Sequence, residues 1–185
     1  MTTLAKGANT VLTSAAGPPV GSALVGVTWP NTAADLDLVA LVCGPDKRVL
    51  GDDHFLFWDH PTSPTKEAFL RSVPPGAVSP SVDRAQLLIN LDLVAPAIEC
   101  VYIALANVAE GGNLAQCGGL SVRFVDLADG ATLVDYANSG TYTTESCLIL
   151  VEIYRYQGQW KLRAVDQGYA GGLAAFGRDY GVDIS

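Results

Sequence analysis

Short apolar runs alternate with turn-forming residues along most of the chain, and this pattern predicts strands rather than helices. The pairs Asp129–Gly130 and Gln157–Gly158 are typical of tight hairpin turns between strands. The run "CLILVEIY" is apolar on both faces, as expected of a central strand. Together the runs indicate an all-β, two-sheet β-sandwich. The predicted strands are residues 9–15, 23–29, 36–43, 54–58, 86–91, 99–108, 120–127, 132–137, 147–156 and 159–165.

Two segments depart from the strand pattern. Residues 59–82 lose periodicity and gather five prolines, which predicts a long Pro-rich surface loop with one helical turn over residues 66–71. In the tail, Ala170, Leu173 and Phe176 fit one face of a short C-terminal helix, and Gly181 is placed to end it.

Composition bounds the class of protein. The chain has 185 residues, of which 49% are hydrophobic and 16% charged, so one globular domain over 1–185 is expected. The net charge is −8, and the 11 Lys and Arg residues are scattered, which argues against a nucleic-acid partner. An acidic balance suits cation binding, and it suits solubility equally well.

The cysteines and the apolar N-terminal segment bear on compartment. Four cysteines show no C-x-x-C spacing, and three lie in or beside apolar runs, which indicates reduced thiols in a cytoplasmic protein. Residues 7–34 carry no charge, but Gly17, Pro18 and Pro30 are among the residues that interrupt them. We therefore expect neither a membrane span nor a signal peptide there.

The run "ADLDLVALV" (residues 34–42) begins a predicted core strand with two carboxylates. Asp35 and Asp37 would lie on one side of the strand, with Cα atoms roughly 6.5–7 Å apart, and would repel each other unless a cation lies between them. Asp52, Asp53 and Asp59 flank the next strand, so calcium is the ion that this oxygen-rich pattern favours. The other interpretation is that these are ordinary turn-forming or capping residues.

His54 and His60 raise the question of an enzyme, since each follows a carboxylate. Neighbours on a strand point to opposite faces, so we expect the pairs Asp53–His54 and Asp59–His60 to interact poorly. The chain has no G-x-S-x-G motif, no zinc-type ligand spacing and no phosphate-binding glycine loop. Structural histidines, and no enzymatic activity, are the prediction.

Several segments in order along nearly the whole chain resemble the TerD family of tellurium-resistance and stress proteins. The resemblance implies a cytoplasmic bacterial β-sandwich that binds calcium, has no known enzymatic activity and acts with other Ter proteins near the membrane. The segments are "KGANTVLT", "VGVTWP", "DLDLVALV", "DDHFLFW" and the closing block "ESCLILVEIYRYQGQWKLRAVDQGYAGGLAAFGRDYGVDI".

The resemblance also implies a ligand set, with one departure. The family motif D-L-D matches residues 35–37, the acid of D-x-H-F matches Asp52, and Asp59 replaces an asparagine while still offering an oxygen. The acidic family loop before residues 86–91 reads "GAVSPSVDRAQ" here, with Asp83 as its only acid, and Thr65 stands where the family has another aspartate. We therefore expect calcium binding to be weakened, reduced to one site or lost.

Two functional hypotheses follow. The first is a non-catalytic, calcium-responsive stress protein whose ligands are Asp35, Asp37, Asp52 and Asp59, with Asp53 and Asp83 as poorer candidates. The second is a metal-independent protein–protein interaction module of a Ter-type stress complex, with its contacts in the 59–83 loop. Both predict other Ter-type proteins as partners, with peripheral association with the membrane and no nucleic acid.

Overall fold

The structure is a computed structural model that describes residues 1–31, 34–72, 83–138 and 141–184. Within these ranges the chain forms twelve strands and one α-helix. The elements, in chain order, are β1 (Thr2–Leu4), β2 (Asn9–Val11), β3 (Ser22–Thr28), β4 (Leu36–Cys43), β5 (Phe55–Leu56), β6 (Ala68–Ser72), β7 (Ala85–Asn90), β8 (Cys100–Asn107), β9 (Leu120–Asp126), β10 (Thr132–Asn138), β11 (Cys147–Tyr156), β12 (Gln159–Tyr169) and α1 (Gly172–Asp179).

The strands form two six-stranded sheets. Sheet 1 has the order β1-β10-β9-β3-β7-β6, and sheet 2 has the order β2-β12-β11-β8-β4-β5. Neighbouring strands are antiparallel except for the parallel pair β1 and β10. The predicted all-β, two-sheet sandwich is confirmed.

The main core lies between the two sheets and follows from the alternation of side chains along each strand. On β3, Ala23, Val25 and Val27 are fully buried in this core, while Leu24 and Gly26 face outward. Each large aliphatic side chain buried in this way stabilises the fold by about 1.5–3 kcal/mol before entropy is counted. Because the inward-facing positions are buried in this core, the outward-facing positions of each strand are the ones available for binding.

Helix α1 covers part of the outer face of sheet 2 and creates a second, smaller core. Phe176 is fully buried there, with its ring centroid 5.6 Å from that of Tyr169 and 5.2 Å from that of Tyr180. The helix ends before Gly181, whose φ of +88° favours glycine, so the predicted C-terminal helix is confirmed. No helix in the described ranges is both long enough and apolar enough to cross a membrane.

The edges of the sheets are short or covered. The outermost strands β1 and β2 have three residues each, and β5 has two. Strand β6 has five residues, and the preceding segment folds back along it, with Leu70 N–H donating to Pro61 O (2.8 Å) and Ser63 N–H donating to Ala68 O (3.0 Å). These features limit the backbone that is free to pair with another strand.

Some local predictions were wrong. The helical turn predicted over residues 66–71 is absent, because Ala68–Ser72 form strand β6, with Ala68 and Leu70 buried in the main core. The rest of the predicted loop, residues 73–82, lies outside the described residues. The Asp129–Gly130 hairpin is longer than predicted, because residues 127–131 connect β9 and β10.

The Gln157–Gly158 turn between β11 and β12 is confirmed, with φ values of +51° and +76° at its two residues. Strand β1 was not predicted, and β12 continues four residues beyond its predicted end, to Tyr169.

Candidate functional site

The first two predicted ligands lie together at the N-terminal end of β4. Asp35 is exposed just before the strand, and Asp37 is half-buried opposite Ala106 of β8. Burial raises the pKa of Asp37, and the negative charge of Asp35 raises it further. The structure therefore keeps these two carboxylates close enough to repel each other.

Asp52 and Asp53 lie at the other end of β4. Strand β5 is antiparallel to β4 with Phe55 opposite Leu41, so residues just before Phe55 are level with the C-terminal end of β4. Leu41 is four strand positions, roughly 13 Å, from Asp37, and Asp52 and Asp53 lie beyond it in a 3₁₀ turn. These two aspartates and the Asp35–Asp37 pair are too far apart to bind one ion.

His54 interacts closely with Asp53. Residues Asp52–His54 form a 3₁₀ turn, so the two side chains need not point to opposite faces. His54 Nδ1 lies 2.8 Å from Asp53 Oδ1, and His60 Nε2 lies 3.1 Å from Asp53 O. The expectation that Asp53 and His54 interact poorly was wrong, because it treated a tight turn as a strand.

Asp59 lies in an exposed turn in which Phe57 and His60 exchange backbone hydrogen bonds of 3.1 and 3.0 Å. Its neighbour Trp58 lines a cavity of about 210 Å³, and the residues that line this cavity also include Asp37 and Arg71. Asp59 is thus near the Asp37 end of β4, where the cavity also contains a guanidinium group.

Asp83 is the predicted ligand whose surroundings are most clearly defined. Its carboxylate is 2% exposed and accepts hydrogen bonds from Arg123 Nε (2.7 Å), Arg123 Nη2 (2.6 Å) and Gln86 Nε2 (2.7 Å). The same hydrogen bonds from Arg123 are the main cause of the raised pKa of that guanidinium. Asp83 therefore belongs to an ion pair on the outer face of sheet 1.

The predicted ligands within the described residues do not all converge at one point. Calcium takes six to eight oxygens, whereas among the described residues no three His, Cys, Asp or Glu side chains are arranged to hold a metal. Asp83 is held by Arg123 and Gln86, and Asp52 and Asp53 lie at the far end of β4. Of the predicted ligands, the pair Asp35 and Asp37 is placed close together.

The outer face of sheet 1 carries an apolar row that the sequence did not reveal. Phe69, Leu88, Leu24 and Val125 lie directly opposite one another on the adjacent strands β6, β7, β3 and β9. None of the four belongs to either core cluster, and Phe69 is 40% exposed. Within the described ranges no helix or strand packs over this row, whereas sheet 2 is covered by α1.

A polar network runs beside the apolar row. Arg71 Nε donates to Gln86 Oε1 (2.9 Å), Gln86 donates to Asp83, and Asp83 accepts from Arg123. Arg71 is exposed, and the side chain of Arg123 is 44% exposed. The face thus combines the apolar row with two arginines, which are held in position by the buried side chains of Gln86 and Asp83.

These residues form one defined surface, which we call the sheet 1 face. It comprises Leu24, Phe69, Arg71, Asp83, Gln86, Leu88, Arg123 and Val125. The chain is therefore a two-sheet β-sandwich in which a helix covers one outer sheet face, while no helix or strand of the described ranges packs over the other. The TerD domain model matches residues 1–180, and the chain belongs to the TerD family.

Named relatives agree with this assignment. The chain is 30% identical over 190 residues to tellurium resistance protein TerD of Serratia marcescens, covering 98% of both chains. It is also 30% identical over 105 residues to general stress protein 16U of Bacillus subtilis. That match covers 55% of this chain and 54% of that protein.

Solved structures share the fold. A homologue of telluride resistance protein TerD from Streptomyces coelicolor superposes with a TM-score of 0.65 at 15% identity, covering 85% of this chain and 95% of that one. A second structure, of a protein of unknown function, gives a TM-score of 0.67 at 15% identity over 89% of this chain and 99% of that one.

Proposed function

We propose that this chain is a metal-independent protein–protein interaction module of a bacterial tellurium-resistance and stress response, and that its sheet 1 face binds another TerD-family chain. The names of its relatives support the stress role. The apolar row on sheet 1, over which no helix or strand of the described residues packs, is the observation that carries the binding role.

The apolar row has the composition of a binding centre. Aromatic residues are enriched among the side chains that supply most of the binding energy at interfaces. Phe69, at the β6 end of the row, is its aromatic residue and is 40% exposed, whereas Leu24 and Val125 are nearly buried by their neighbours. Arg71 and Arg123 supply the polar border and offer donors to a partner.

Charge points to an acidic partner. The chain carries a net charge of −8, yet the sheet 1 face presents the guanidinium of Arg71, with Lys66 exposed nearby, while the charge of Arg123 is balanced by Asp83. A second acidic chain of the same family would present carboxylates to these cations, so a TerD-family partner complements this face.

The proposal includes a non-catalytic role in the cytoplasm. All four cysteines are free and buried, and a reducing compartment maintains thiols in that state. The proposed binding role attributes the action of the protein to its partners and requires no catalytic step.

Photo-crosslinking in cells tests the binding role. A photo-reactive amino acid would replace Phe69 (40% exposed), and the matched control would carry it at Leu50 (45% exposed), which lies outside the sheet 1 face. We expect a crosslinked TerD-family chain, identified by mass spectrometry, from position 69 and not from position 50. Absence of such a product at position 69, or equal products at both positions, contradicts the proposal.

Survival on tellurite tests whether this binding matters. The wild type, Phe69→Lys and Leu50→Lys would be expressed in a tellurite-sensitive strain that lacks its own copy and retains the other Ter proteins. We expect Phe69→Lys to reduce survival and Leu50→Lys to leave it unchanged, with equal amounts of folded protein. Full protection by Phe69→Lys would overturn the role of this face.

A weak cation site at Asp35 and Asp37 is the second candidate function. The observation that favours it is the mutual repulsion of the two carboxylates, which raises the pKa of Asp37 and which a cation would relieve. If this site carried the function, Asp35→Asn with Asp37→Asn would abolish tellurite survival while leaving the crosslink from position 69 intact.

A further inference from the structure

Two free cysteines face each other across neighbouring strands of sheet 2. Cys43 of β4 is the register partner of Cys100 of β8, and both belong to the smaller core cluster on the face that α1 covers. Opposite residues in an antiparallel pair have Cα atoms about 4.5–5.5 Å apart. A disulfide requires roughly 4.4–6.8 Å, so this pair could be bridged with little movement of the backbone.

A cavity opens beside this pair. It has a volume of about 260 Å³, and its lining includes Cys100, Lys47, Glu152, Tyr154 and Arg163. Tyr154 is the register partner of Cys100 on β11, so the two side chains lie on the same face of the sheet. A water molecule occupies about 30 Å³ in the liquid, so the cavity has room for a small solute next to the cysteine.

The charges around the cavity are arranged about a buried carboxylate. Glu152 is 1% exposed, accepts a hydrogen bond from Arg163 and has its Oε1 3.7 Å from Lys47 Nζ. Lys47 is more exposed than the carboxylate, so it presents a positive charge at the cavity. Anionic sulfur at Cys100 would gain from this cation, in the way that a neighbouring lysine activates reactive cysteines.

The two thiols differ in their ease of ionisation. The interaction between the two thiols lowers the pKa of Cys100, against its burial and the negative charge of Glu152, and Tyr102 and Lys47 lower this pKa further. The same interaction, together with burial, raises the pKa of Cys43. Cys100 lines the cavity and Cys43 does not, so Cys100 is suited to be the attacking thiolate and Cys43 to be its thiol partner.

We propose that Cys100 and Cys43 form a hydroperoxide-reactive dithiol served by this cavity. The Cys100 thiolate attacks one oxygen of a small hydroperoxide such as hydrogen peroxide, which forms an S–O bond and breaks the O–O bond. The departing hydroxide takes a proton and becomes water. Cys43 sulfur then attacks Cys100 sulfur, forming the disulfide while the second oxygen leaves with the Cys43 proton as water. The dithiol loses two electrons, and the hydroperoxide gains them.

The remaining two cysteines provide internal controls. Burial raises the pKa of Cys147 to about 12 and also raises the pKa of Cys117, whose thiol donates to Leu114 O. Neither residue lines the cavity that Cys100 lines. The site therefore predicts selective oxidation of one pair among four buried cysteines. This inference goes beyond the proposed binding role and does not depend on it.

Peptide mapping of the wild-type protein is the first test and needs no variant. Reduced full-length protein would be treated with hydrogen peroxide, alkylated and digested. We expect a Cys43–Cys100 disulfide to form at a rate roughly tenfold or more above oxidation of Cys147, because reactivity follows thiolate character and access. A bulky aryl disulfide reagent should react far more slowly than hydrogen peroxide. Equal oxidation of all four cysteines, or a disulfide with a different pairing, would overturn the proposal.

Two variants separate the steps. In Cys43→Ala, Cys100 should accumulate as a sulfenic acid that dimedone traps, whereas Cys100→Ala should give neither a disulfide nor a dimedone adduct at Cys43. Cys147→Ala is the matched control and should leave formation of the Cys43–Cys100 disulfide unchanged. Circular dichroism would establish that each variant is folded. Dimedone labelling at Cys43 in a folded Cys100→Ala variant would contradict the assigned roles.

Discussion

The carboxylate of Asp83 lies in the space left by the missing side chain of Gly26. A Cβ atom built on Gly26 would lie 2.3 Å from Asp83 Oδ1 and 2.4 Å from Asp83 Cγ and Oδ2. Asp83 can therefore fold back over β3 and reach Arg123 on the neighbouring strand β9. A glycine in one strand thus permits the buried ion pair of the sheet 1 face.

This relationship predicts a large effect of one methyl group. Gly26→Ala should lower the free energy of unfolding by about 2–4 kcal/mol, because the methyl group displaces Asp83 from Arg123 or overpacks the sheet surface. Urea denaturation monitored by circular dichroism measures the change. The matched control is Asp83→Ala combined with Gly26→Ala, which should cost less than the sum of the two single changes. Additive costs would show that Gly26 and Asp83 do not interact.

The pH dependence of stability should reveal the Asp35–Asp37 pair. The folded protein raises the pKa of Asp37 above 3.8, so it binds the proton more tightly than the unfolded chain does. This contribution to stability is present below the unfolded pKa and is lost as the pH rises through the folded pKa. Asp37→Asn should therefore raise the melting temperature near neutral pH, and the gain should shrink as the pH falls below about 4.

Melting curves recorded from about pH 3 to about pH 7 measure this difference. Asp59→Asn is the control, since Asp59 lies in an exposed turn. If Asp37→Asn raised the melting temperature equally at every pH, the raised pKa of Asp37 would not be its cause.

Calcium should have little effect on this chain. With two carboxylates held together, we expect a dissociation constant of about 10⁻³ M or weaker. At about 1 mM calcium, mass action then adds at most roughly 0.4 kcal/mol, which is about 1 °C or less in melting temperature. Calorimetric titration of chelator-treated protein measures the affinity directly. Saturable heat at micromolar calcium that Asp35→Asn with Asp37→Asn removes would show a stronger site than the described residues support.

Arg155 should be important for stability. Its Nε donates to Ile98 O (3.0 Å), its Nη2 donates to Val94 O (2.8 Å), and its guanidinium lies 4.4 Å from the ring centroid of Trp160. A lysine cannot reproduce both hydrogen bonds and the stacking, so Arg155→Lys should cost about 2–3 kcal/mol of unfolding free energy.

Denaturant titration measures the cost of Arg155→Lys. Arg178, an exposed residue of α1, provides the comparison. Arg178→Lys should change the free energy of unfolding by less than about 0.5 kcal/mol. Equal effects of the two substitutions would contradict the assigned role of Arg155.

The sequence predicted most of the sandwich because strand periodicity is a local signal. Strand β6 escaped prediction since its five residues follow a proline-rich stretch, although Ala68 and Leu70 alternate with Phe69 and Arg71 as a strand requires. That omission also removed Phe69 from the predicted surface. Because this strand was missed, the aromatic residue of the sheet 1 face was missed as well.

The candidate sites were harder to predict because they depend on contacts between distant residues. The sequence makes Asp83 a poorer calcium candidate because it is the only acid of its loop, and nothing nearby in sequence indicates its ion pair with Arg123, which lies 40 positions away. Cys43 and Cys100 likewise meet through the register of β4 and β8. The proximity of Asp35 and Asp37 was predictable, because two residues on one strand need no tertiary information.

The short edge strands determine how these molecules can assemble. A strand of two or three residues, as at β1, β2 and β5, offers too little backbone to extend either sheet into a neighbouring molecule. At the fourth edge, residues 61–63 already form hydrogen bonds with part of the β6 backbone. Growth by strand addition into fibrils is therefore disfavoured. Contact between two such molecules would therefore rely on side chains of a sheet face rather than on backbone pairing.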